Sequence, residues 1–416
     1  IDLGSASAVI KKKGKQTLSR KFLDPLIVGT MGEEGEINEF FSENTAMVFW
    51  NMDDYPIPAA GIDDLGFIRT NIEEVLHRMG FHGYKEIVVY CKQIQSDVQQ
   101  ELSEARIFYL PSSTRIYITT GGNKAAPVDM TSFLVHSALT ISGPNGPLDL
   151  VVIAKATPKG ELDRVIKCLE SRGHTILLID TTAIRGSFFN VESLLGCARM
   201  LRPPPPTRSD LSEGEEEIEE DSSEGEEEFE EDPSYVRYSS KIVDFREPIR
   251  PVKENRTGVF WEAEDFPFPP FSSPDEIYGK IKSALWERDF TNKLSIWVYL
   301  DDNKKGTWRD VLLGDKVWAS RIYFLPGGDK ASRRIRMAND IFFWARDFPY
   351  KRSKGIVFLF SDQFKDDAEY TEMLQNLVSV SCYVRSIIPT QDSNKPESPN
   401  WPGLLIDGGG GYWVDY

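Results

Sequence analysis

Cysteine and histidine are scarce in this chain of 416 residues, which contains four of each. The cysteines are scattered and form no CxxC pair, which argues against a disulfide framework and a cysteine zinc site. The histidines lack the spacing of metal ligands, so structural roles are favoured over metal binding for His77, His82, His136 and His174.

Long apolar segments are also missing. No apolar run approaches the roughly eighteen residues that a membrane-spanning helix needs, and no secretory signal is recognisable. These absences predict a soluble intracellular protein, either cytoplasmic or nuclear.

Positive charge is absent from residues 210–232, which hold fifteen Asp or Glu and no Lys or Arg. Removing these charges from the net charge of −17 leaves −2, so nucleic acid is not excluded as a partner of the remainder. With Pro203–Pro206 before it, this stretch predicts a disordered linker over residues 203–250. Ser212 and Ser223 each precede a Glu by three residues, which fits either acid-directed phosphorylation or an unmodified solubilising linker.

Two sequence patterns each occur twice in the chain. Residues 46–58 read AMVFWNMDDYPIP, and residues 257–269 read TGVFWEAEDFPFP. Residues 115–125 read RIYITTGGNKA, and residues 321–331 read RIYFLPGGDKA. Because both pairs occur in the same order, we interpret the chain as a duplicated domain. The predicted parts are a flexible basic segment (1–42), a first copy (43–202), the linker (203–250), a second copy (251–400) and a tail (401–416).

Short apolar, β-rich runs alternate with stretches of helical periodicity in both copies. In the first copy we predict strands at Ala46–Trp50, Lys85–Cys91, Arg115–Ile118, Leu148–Ala154 and His174–Asp180, with helices at 67–79, 124–139 and Glu161–Arg172. In the second copy we predict strands at Val259–Trp261, Leu294–Leu300, Arg321–Leu325, Ile356–Phe360 and Cys382–Ile388, with helices at Asp275–Arg288, 307–314, Lys330–Asp347 and Glu369–Val380. This alternation predicts an α/β fold with a mainly parallel sheet in each three-layer copy.

Carboxylates follow several of the predicted strands. Because ligands of open parallel sheets bind beyond the carboxyl ends of the strands, these side chains could share one crevice. Such a cluster suits Mg²⁺ or Mn²⁺, which prefer hard oxygen ligands and can activate water for attack at phosphorus. A polar loop edge with acidic helix caps is the alternative, and composition alone favours it.

The opening motif of each copy resembles the signature of the NYN domain, a PIN-like ribonuclease fold. The resemblance is to the limkain-type subgroup, related to meiosis regulator and mRNA stability factor proteins and present in tandem forms in plants. It implies a metal-dependent endoribonuclease fold, RNA as a partner, and a role in RNA turnover or regulation of gene expression. The limkain-type resemblance also implies a peroxisomal association, although the chain ends without a Ser-Lys-Leu signal.

The departures from the family pattern fall on its metal ligands. The leading Asp of the motif is Asn51 in the first copy, followed by Asp53 and Asp54, and Glu262 in the second. The helix ligand is retained as Asp340, whereas its counterpart in the first copy is Asp129 or, in another alignment, Val135. After the penultimate strand the second copy has Asp362 and the first has Lys155. If replacing a carboxylate ligand removes even about 3 kcal/mol of binding free energy, the affinity for the ion falls more than a hundredfold.

Three functions follow as hypotheses. In the first, the second copy is an endoribonuclease in which Glu262, Asp340 and Asp362 are the catalytic and metal-binding residues for Mg²⁺ or Mn²⁺. In the second, both copies are inactive and form a pseudonuclease that binds RNA or proteins, with the acidic linker available to protein partners. A nucleotide-binding protein is a weaker third, because no GxGxxG or P-loop is present. The basic residues expected to contact RNA phosphates are Lys124, Lys155, Lys330, Arg333, Arg334 and Arg336.

Overall fold

The structure is a computed structural model of the full chain. It describes residues 40–58, 65–92, 96–110, 129–141, 148–180, 188–201, 244–249, 255–264, 266–267, 269, 272–304, 312, 320–347, 354–364, 367–377, 381–388, 395–408 and 412–414. Residues Phe40–Tyr416 form one compact unit. The serines Ser212 and Ser223, the predicted strand Arg115–Ile118, and the glycines and Lys124 of the first Gly-Gly turn lie outside the described residues.

The first copy folds into a six-stranded sheet. Its strands are β1 (Ala46–Asn51), β2 (Lys85–Tyr90), β3 (Phe108–Leu110), β4 (Asp149–Ile153), β5 (Thr175–Ile179) and β6 (Ala198–Leu201). Its helices are α1 (Leu65–Arg78), α2 (Ser96–Glu104), α3 (Met130–Ile141), α4 (Glu161–Glu170) and α5 (Val191–Cys197). The strand order is β3-β2-β1-β4-β5-β6, and every pair is parallel except β5 with β6.

The second copy repeats this topology. Its strands are β7 (Arg256–Glu262), β8 (Lys293–Leu300), β9 (Ile322–Pro326), β10 (Gly355–Phe360), β11 (Cys382–Ile387) and β12 (Tyr412–Trp413). Its helices are α6 (Pro274–Trp286), α7 (Lys330–Arg346), α8 (Ala368–Asn376) and α9 (Gly403–Gly408). The order β9-β8-β7-β10-β11-β12, with only β12 antiparallel, matches the first sheet strand for strand. The α/β fold with mainly parallel sheets is therefore confirmed.

The repeated motif builds the same turn in both copies. The indole N–H of Trp50 donates to the carbonyl of Tyr55 at 2.7 Å, and that of Trp261 donates to the carbonyl of Phe266 at 2.7 Å. Both tryptophans are fully buried. A buried indole needs a hydrogen-bond acceptor, so the aromatic residue and the turn after the strand are required together. The sequence repeat is thus a repeat of local structure.

The two copies share a hydrophobic core. One cluster contains residues from the facing sides of both sheets, such as Phe49 and Phe260, and from the helices α3, α4, α7 and α8 between them. The outer sides have separate cores, one under α1 and α5 and one under α6 and α9. Helix α3 packs on α7, its counterpart in the second copy. The copies therefore meet through equivalent helices.

Several elements differ from the sequence-based predictions. Residues 401–416, expected as a tail, include α9 and the edge strand β12, and Ile406 of α9 is fully buried in the outer core. Helix α5 and strand β6 were also not predicted from the sequence, because they follow the last strong apolar run of the first copy. Phe245, near the end of the expected linker, is fully buried in the shared core. Among the described residues, no helix combines the length and apolarity needed to cross a bilayer.

Candidate functional site

Two of the three candidate ligands lie at the point where the strand order reverses. This point falls between β1 and β4 in the first sheet and between β7 and β10 in the second. Ligands of open α/β sheets commonly bind there, beyond the carboxyl ends of the strands. Glu262 is the last residue of β7, and Asp362 lies two residues after β10. Asp340 lies in the middle of α7.

Glu262 is fully buried and faces an arginine of its own copy. Its Oε1 atom accepts a hydrogen bond from Arg333 Nε at 2.7 Å. Arg333 is only 3% exposed, and its Nη1 atom also donates to the Gly328 carbonyl at 2.8 Å. The guanidinium therefore supplies the positive charge beside the first candidate ligand.

The Gly-Gly turn makes room for this arginine. A Cβ atom on Gly327 would lie 2.4 Å from Arg333 Cγ, so a larger residue would displace the arginine side chain. Gly328 has a φ angle of +73°, a conformation that favours glycine. Asp329 then begins α7 as its N-cap and accepts a hydrogen bond from the Ser332 N–H at 2.8 Å. In the second copy the turn thus leads into helix α7 and leaves space for the Arg333 side chain.

Asp340 is fully buried and faces an arginine of the other copy. Its Oδ1 atom accepts from Arg164 Nη1 at 2.7 Å, and its Oδ2 atom accepts from the Tyr299 hydroxyl at 2.8 Å. Arg164 lies on α4 of the first copy, 176 residues away in the sequence. Burial raises the pKa of Asp340 to about 6, although Arg164 opposes that rise. The second candidate ligand therefore belongs to the interface between the copies.

Polar contacts continue along this interface. Asn339 donates through Nδ2 to Glu161 Oε1 at 2.8 Å and to Thr131 Oγ1 at 3.1 Å. Asp347 and Arg172 form a second buried ion pair between the copies, with an N···O distance of 2.6 Å. The guanidinium of Arg172 also lies 4.4 Å from the centre of the Phe343 ring. The C-terminal half of helix α7 is therefore held to the first copy.

Asp362 differs from the two buried carboxylates because 45% of its side chain is exposed. Its Oδ1 atom lies 3.5 Å from Lys330 Nζ, and the lysine side chain is 54% exposed. An exposed pair of this kind contributes little stability. Asp362 and Lys330 therefore remain accessible to a ligand at the edge of the second sheet.

The three candidate ligands all have cationic neighbours within the protein. Each of the three carboxylates lies next to a cationic side chain of the protein, and the buried pairs with arginine are hydrogen-bonded. Mg²⁺ and Mn²⁺ need several oxygen ligands converging on one point. Within the described ranges, no three or more His, Cys, Asp or Glu side chains are arranged to hold a metal ion.

The first copy uses its acidic residues to fix loops. Asn51 Nδ2 donates to Asp54 Oδ2 at 2.8 Å, and the same oxygen accepts from the Lys155 N–H at 3.0 Å. Asp53 accepts from the Lys92 N–H at 3.3 Å. Asp129 accepts from the Thr131 N–H at 2.8 Å, just before α3 begins. These contacts place the acidic residues of the first copy in turns and just before a helix.

Asp180 was not identified from the sequence. It follows β5 at the same edge, where it accepts from the Tyr55 hydroxyl at 2.9 Å and from the Ala156 N–H at 3.0 Å. It therefore joins the turn after β1 to the loop after β4. Only its place at the end of the predicted strand His174–Asp180 could have pointed to it.

The basic residues expected to contact RNA have different environments. Arg333 and Arg336 are largely buried, and Arg336 donates to the Pro326 carbonyl. Arg334 pairs with Asp367 and stacks over Tyr370, 4.0 Å from the ring centre. Lys330 is exposed, and so is Lys155, whose Nζ lies 5.6 Å from the centre of the Tyr55 ring. The structure thus leaves one exposed lysine of this set at each switch point, within the residues it describes.

Comparison with known proteins gives no match to a family model, to a curated protein or to a solved structure.

Proposed function

We propose that this protein is a catalytically inactive tandem relative of metal-dependent endoribonucleases. In this proposal it acts as an RNA-binding module in RNA turnover or gene regulation. The observation that supports it is that protein cations neutralise two of the candidate metal ligands, Arg333 pairing with Glu262 and Arg164 with Asp340. The family resemblance of the repeated motif supplies the link to RNA.

Electrostatics supports the inactive assignment. A metal ion that binds Glu262 or Asp340 would have to displace the buried guanidinium group that is already hydrogen-bonded to that carboxylate. Leaving an arginine buried without its partner costs several kcal/mol, about 3–5 kcal/mol in measured cases. That cost lowers the affinity for a divalent ion by more than a hundredfold. We therefore expect that the site has no micromolar affinity for Mg²⁺ or Mn²⁺.

The position of the exposed lysines supports RNA contact. Lys155 follows β4 in the first copy and Lys330 begins α7 in the second, so each lies at the ligand-binding edge of its sheet. Lysine side chains at such positions bind phosphates and release counterions, which makes binding sensitive to salt. Two such lysines in one compact unit would bind one strand more tightly than either alone.

The decisive experiment is Mn²⁺ titration of the full chain by calorimetry, followed by incubation with labelled single-stranded RNA. We expect no micromolar Mn²⁺ binding, no Mn²⁺-dependent cleavage, and RNA binding that weakens as salt rises. A Lys155→Ala/Lys330→Ala double variant should weaken RNA binding. The control Lys167→Ala removes another exposed lysine, on α4, and should not.

Other outcomes would identify the competing functions. Cleavage that requires Mn²⁺ and disappears in Asp340→Asn would establish the second copy as an endoribonuclease and overturn the inactive assignment. Circular dichroism of that variant is needed, because Asp340 also holds the interface. Failure to bind RNA even at low salt would leave a protein-interaction role.

A further inference from the structure

Two of the four histidines meet on the surface of the first copy. His77 lies in the last turn of α1, and His82 lies in the connection from α1 to β2. Their Nδ1 atoms are 3.0 Å apart, and the rings are perpendicular with centres 4.5 Å apart. Both side chains are exposed. The pair lies far along the chain from every residue of the candidate site in the second copy.

A glycine-terminated helix end fixes the backbone that carries His77. The Gly80 N–H donates to the His77 carbonyl at 3.1 Å, and the Phe81 N–H donates to the Leu76 carbonyl at 2.9 Å. These two bonds define a Schellman motif, with Gly80 in the left-handed region at a φ angle of +93°. Phe81 is fully buried. The chain path between the histidines is therefore set by the helix end.

The segment before β1 fixes the backbone of His82. The His82 N–H donates to the Ser42 carbonyl at 2.7 Å, and the Ser42 N–H donates to the Gly80 carbonyl at 2.9 Å. A Cβ atom on Gly83 would lie 2.0 Å from the Asn44 carbonyl oxygen, so the following residue also packs closely. The main chain at both histidines is thus held rigidly, while the rings remain open to solvent.

The spacing of the two nitrogens matches that of neighbouring ligands on one metal ion. Imidazole nitrogens bind zinc at about 2.0–2.1 Å, and two nitrogens 3.0 Å apart would then subtend roughly 95° at the ion. This angle is closer to the 90° of square-planar and octahedral geometry than to the tetrahedral angle. Cu²⁺ and Ni²⁺ favour such geometries and bind imidazole well. To bind one ion, the two exposed rings would have to rotate until both lone pairs point to it.

We propose that His77 and His82 form a binding site for a borderline transition-metal ion of the Cu²⁺ and Ni²⁺ class. The two Nδ1 atoms supply neighbouring ligands, and water completes the coordination. The nearby Glu73 and Glu74 form ion pairs with Arg69 and Arg78. The bound ion would clamp the end of α1 to the strand connection. This inference is independent of the proposed function, because it uses other residues and a softer class of metal.

The test is calorimetric titration of the full, tag-free chain with Ni²⁺ at neutral to slightly alkaline pH. We expect one ion per chain with micromolar affinity. His77→Asn and His82→Asn should each weaken that affinity at least tenfold, because each removes one of two ligands. Equal Ni²⁺ binding by the wild type and by the double variant would overturn the proposal, and so would the absence of binding in the wild type.

The other histidines provide the background control. The double variant retains His136 and His174, and burial lowers the pKa of each to about 4. Any Ni²⁺ binding that remains in it measures adventitious sites. Thermal unfolding gives a second readout, because an ion that binds only the folded state raises Tm. Ni²⁺ should raise Tm in the wild type and leave the Tm of the double variant unchanged.

Discussion

His174 is buried before β5, where its Nδ1 atom accepts a hydrogen bond from the Leu148 N–H at 3.1 Å. Burial lowers the pKa of this imidazole from 6.5 to about 4. The folded state therefore binds fewer protons than the unfolded state between these values, and its stability falls as pH decreases from 6.5 to 4. At about 1.4 kcal/mol per pKa unit, protonation of His174 lowers the free energy of unfolding by about 3 kcal/mol across this window.

The corresponding measurement compares urea denaturation of the wild type and His174→Asn at several pH values. Asn retains an acceptor for Leu148 but does not titrate, so the variant should lose less stability on acidification. Asp340 acts with the opposite sign, since its raised pKa of about 6 makes stability fall as pH rises from 4 to 6. Equal pH dependence in the wild type and the variant would contradict the assignment to His174.

The pair formed by Glu262 and Arg333 is the second residue-scale feature. Both side chains are at least 97% buried, and the hydrogen bond between them is 2.7 Å long. Arg333→Met leaves the carboxylate buried without its charged partner. Breaking such a pair costs about 3–5 kcal/mol, so we expect a loss of that size in the free energy of unfolding.

A double variant separates charge burial from packing. Glu262→Met/Arg333→Met removes both charges, and it should recover most of the stability that Arg333→Met loses. Urea denaturation of the wild type, both single variants and the double variant gives the coupling free energy. A loss below about 1 kcal/mol in Arg333→Met would show that the buried pair is not needed for stability.

At the scale of elements, the end of α1 depends on a glycine. Gly80 has a φ angle of +93°, and a Cβ atom there would lie 2.0 Å from the Phe40 carbonyl oxygen. Gly80→Ala should therefore destabilise the protein by more than about 1 kcal/mol. The same substitution should also weaken Ni²⁺ binding, because it displaces the backbone between His77 and His82.

Gly279 provides the matched control for that substitution. It lies exposed in the middle of α6, and an added Cβ atom would meet nothing within 4 Å. Gly279→Ala should stabilise the protein by about 0.5–1 kcal/mol, because alanine loses less backbone entropy in a helix. Chemical denaturation of both variants checks the opposite signs. Destabilisation by both would show that the added methyl group is unfavourable for some other reason.

Sequence periodicity identified most of these elements. The expected strand Ala46–Trp50 appears as Ala46–Asn51, and the expected helix Lys330–Asp347 appears as Lys330–Arg346. Such agreement arises because buried strands and amphipathic helices carry their pattern within a few neighbouring residues. The edge strands β6 and β12 were not predicted, because short antiparallel pairs depend on a partner elsewhere in the chain.

At the scale of the whole molecule, the two copies should unfold together. They share one hydrophobic cluster, and the buried pairs Arg164–Asp340 and Arg172–Asp347 cross between them. A single transition is expected in urea, with the same midpoint by tryptophan fluorescence and circular dichroism. Two separated transitions would contradict this arrangement.

The isolated second copy offers a further check. Residues 251–416 alone would expose the face of α7 that packs on α3, and Asp340 would lose Arg164. We expect this fragment to be less stable than the full chain and to aggregate, because it exposes a large apolar surface. Light scattering beside the full chain measures this difference. Metal and RNA experiments therefore require both copies.

The amino-acid sequence is enough to identify the duplication, the order of most strands and helices, and the edge of the sheet at which Asn51, Glu262 and Asp362 lie. These features follow from local patterns and from the rule that parallel strands end at one edge. Which cationic side chain pairs with each carboxylate can be seen only in the tertiary structure. Arg164 reaches Asp340 from another copy, and Arg333 reaches Glu262 from a helix 71 residues later in the chain. Ion pairing and burial depend on distances in space, which periodicity does not encode.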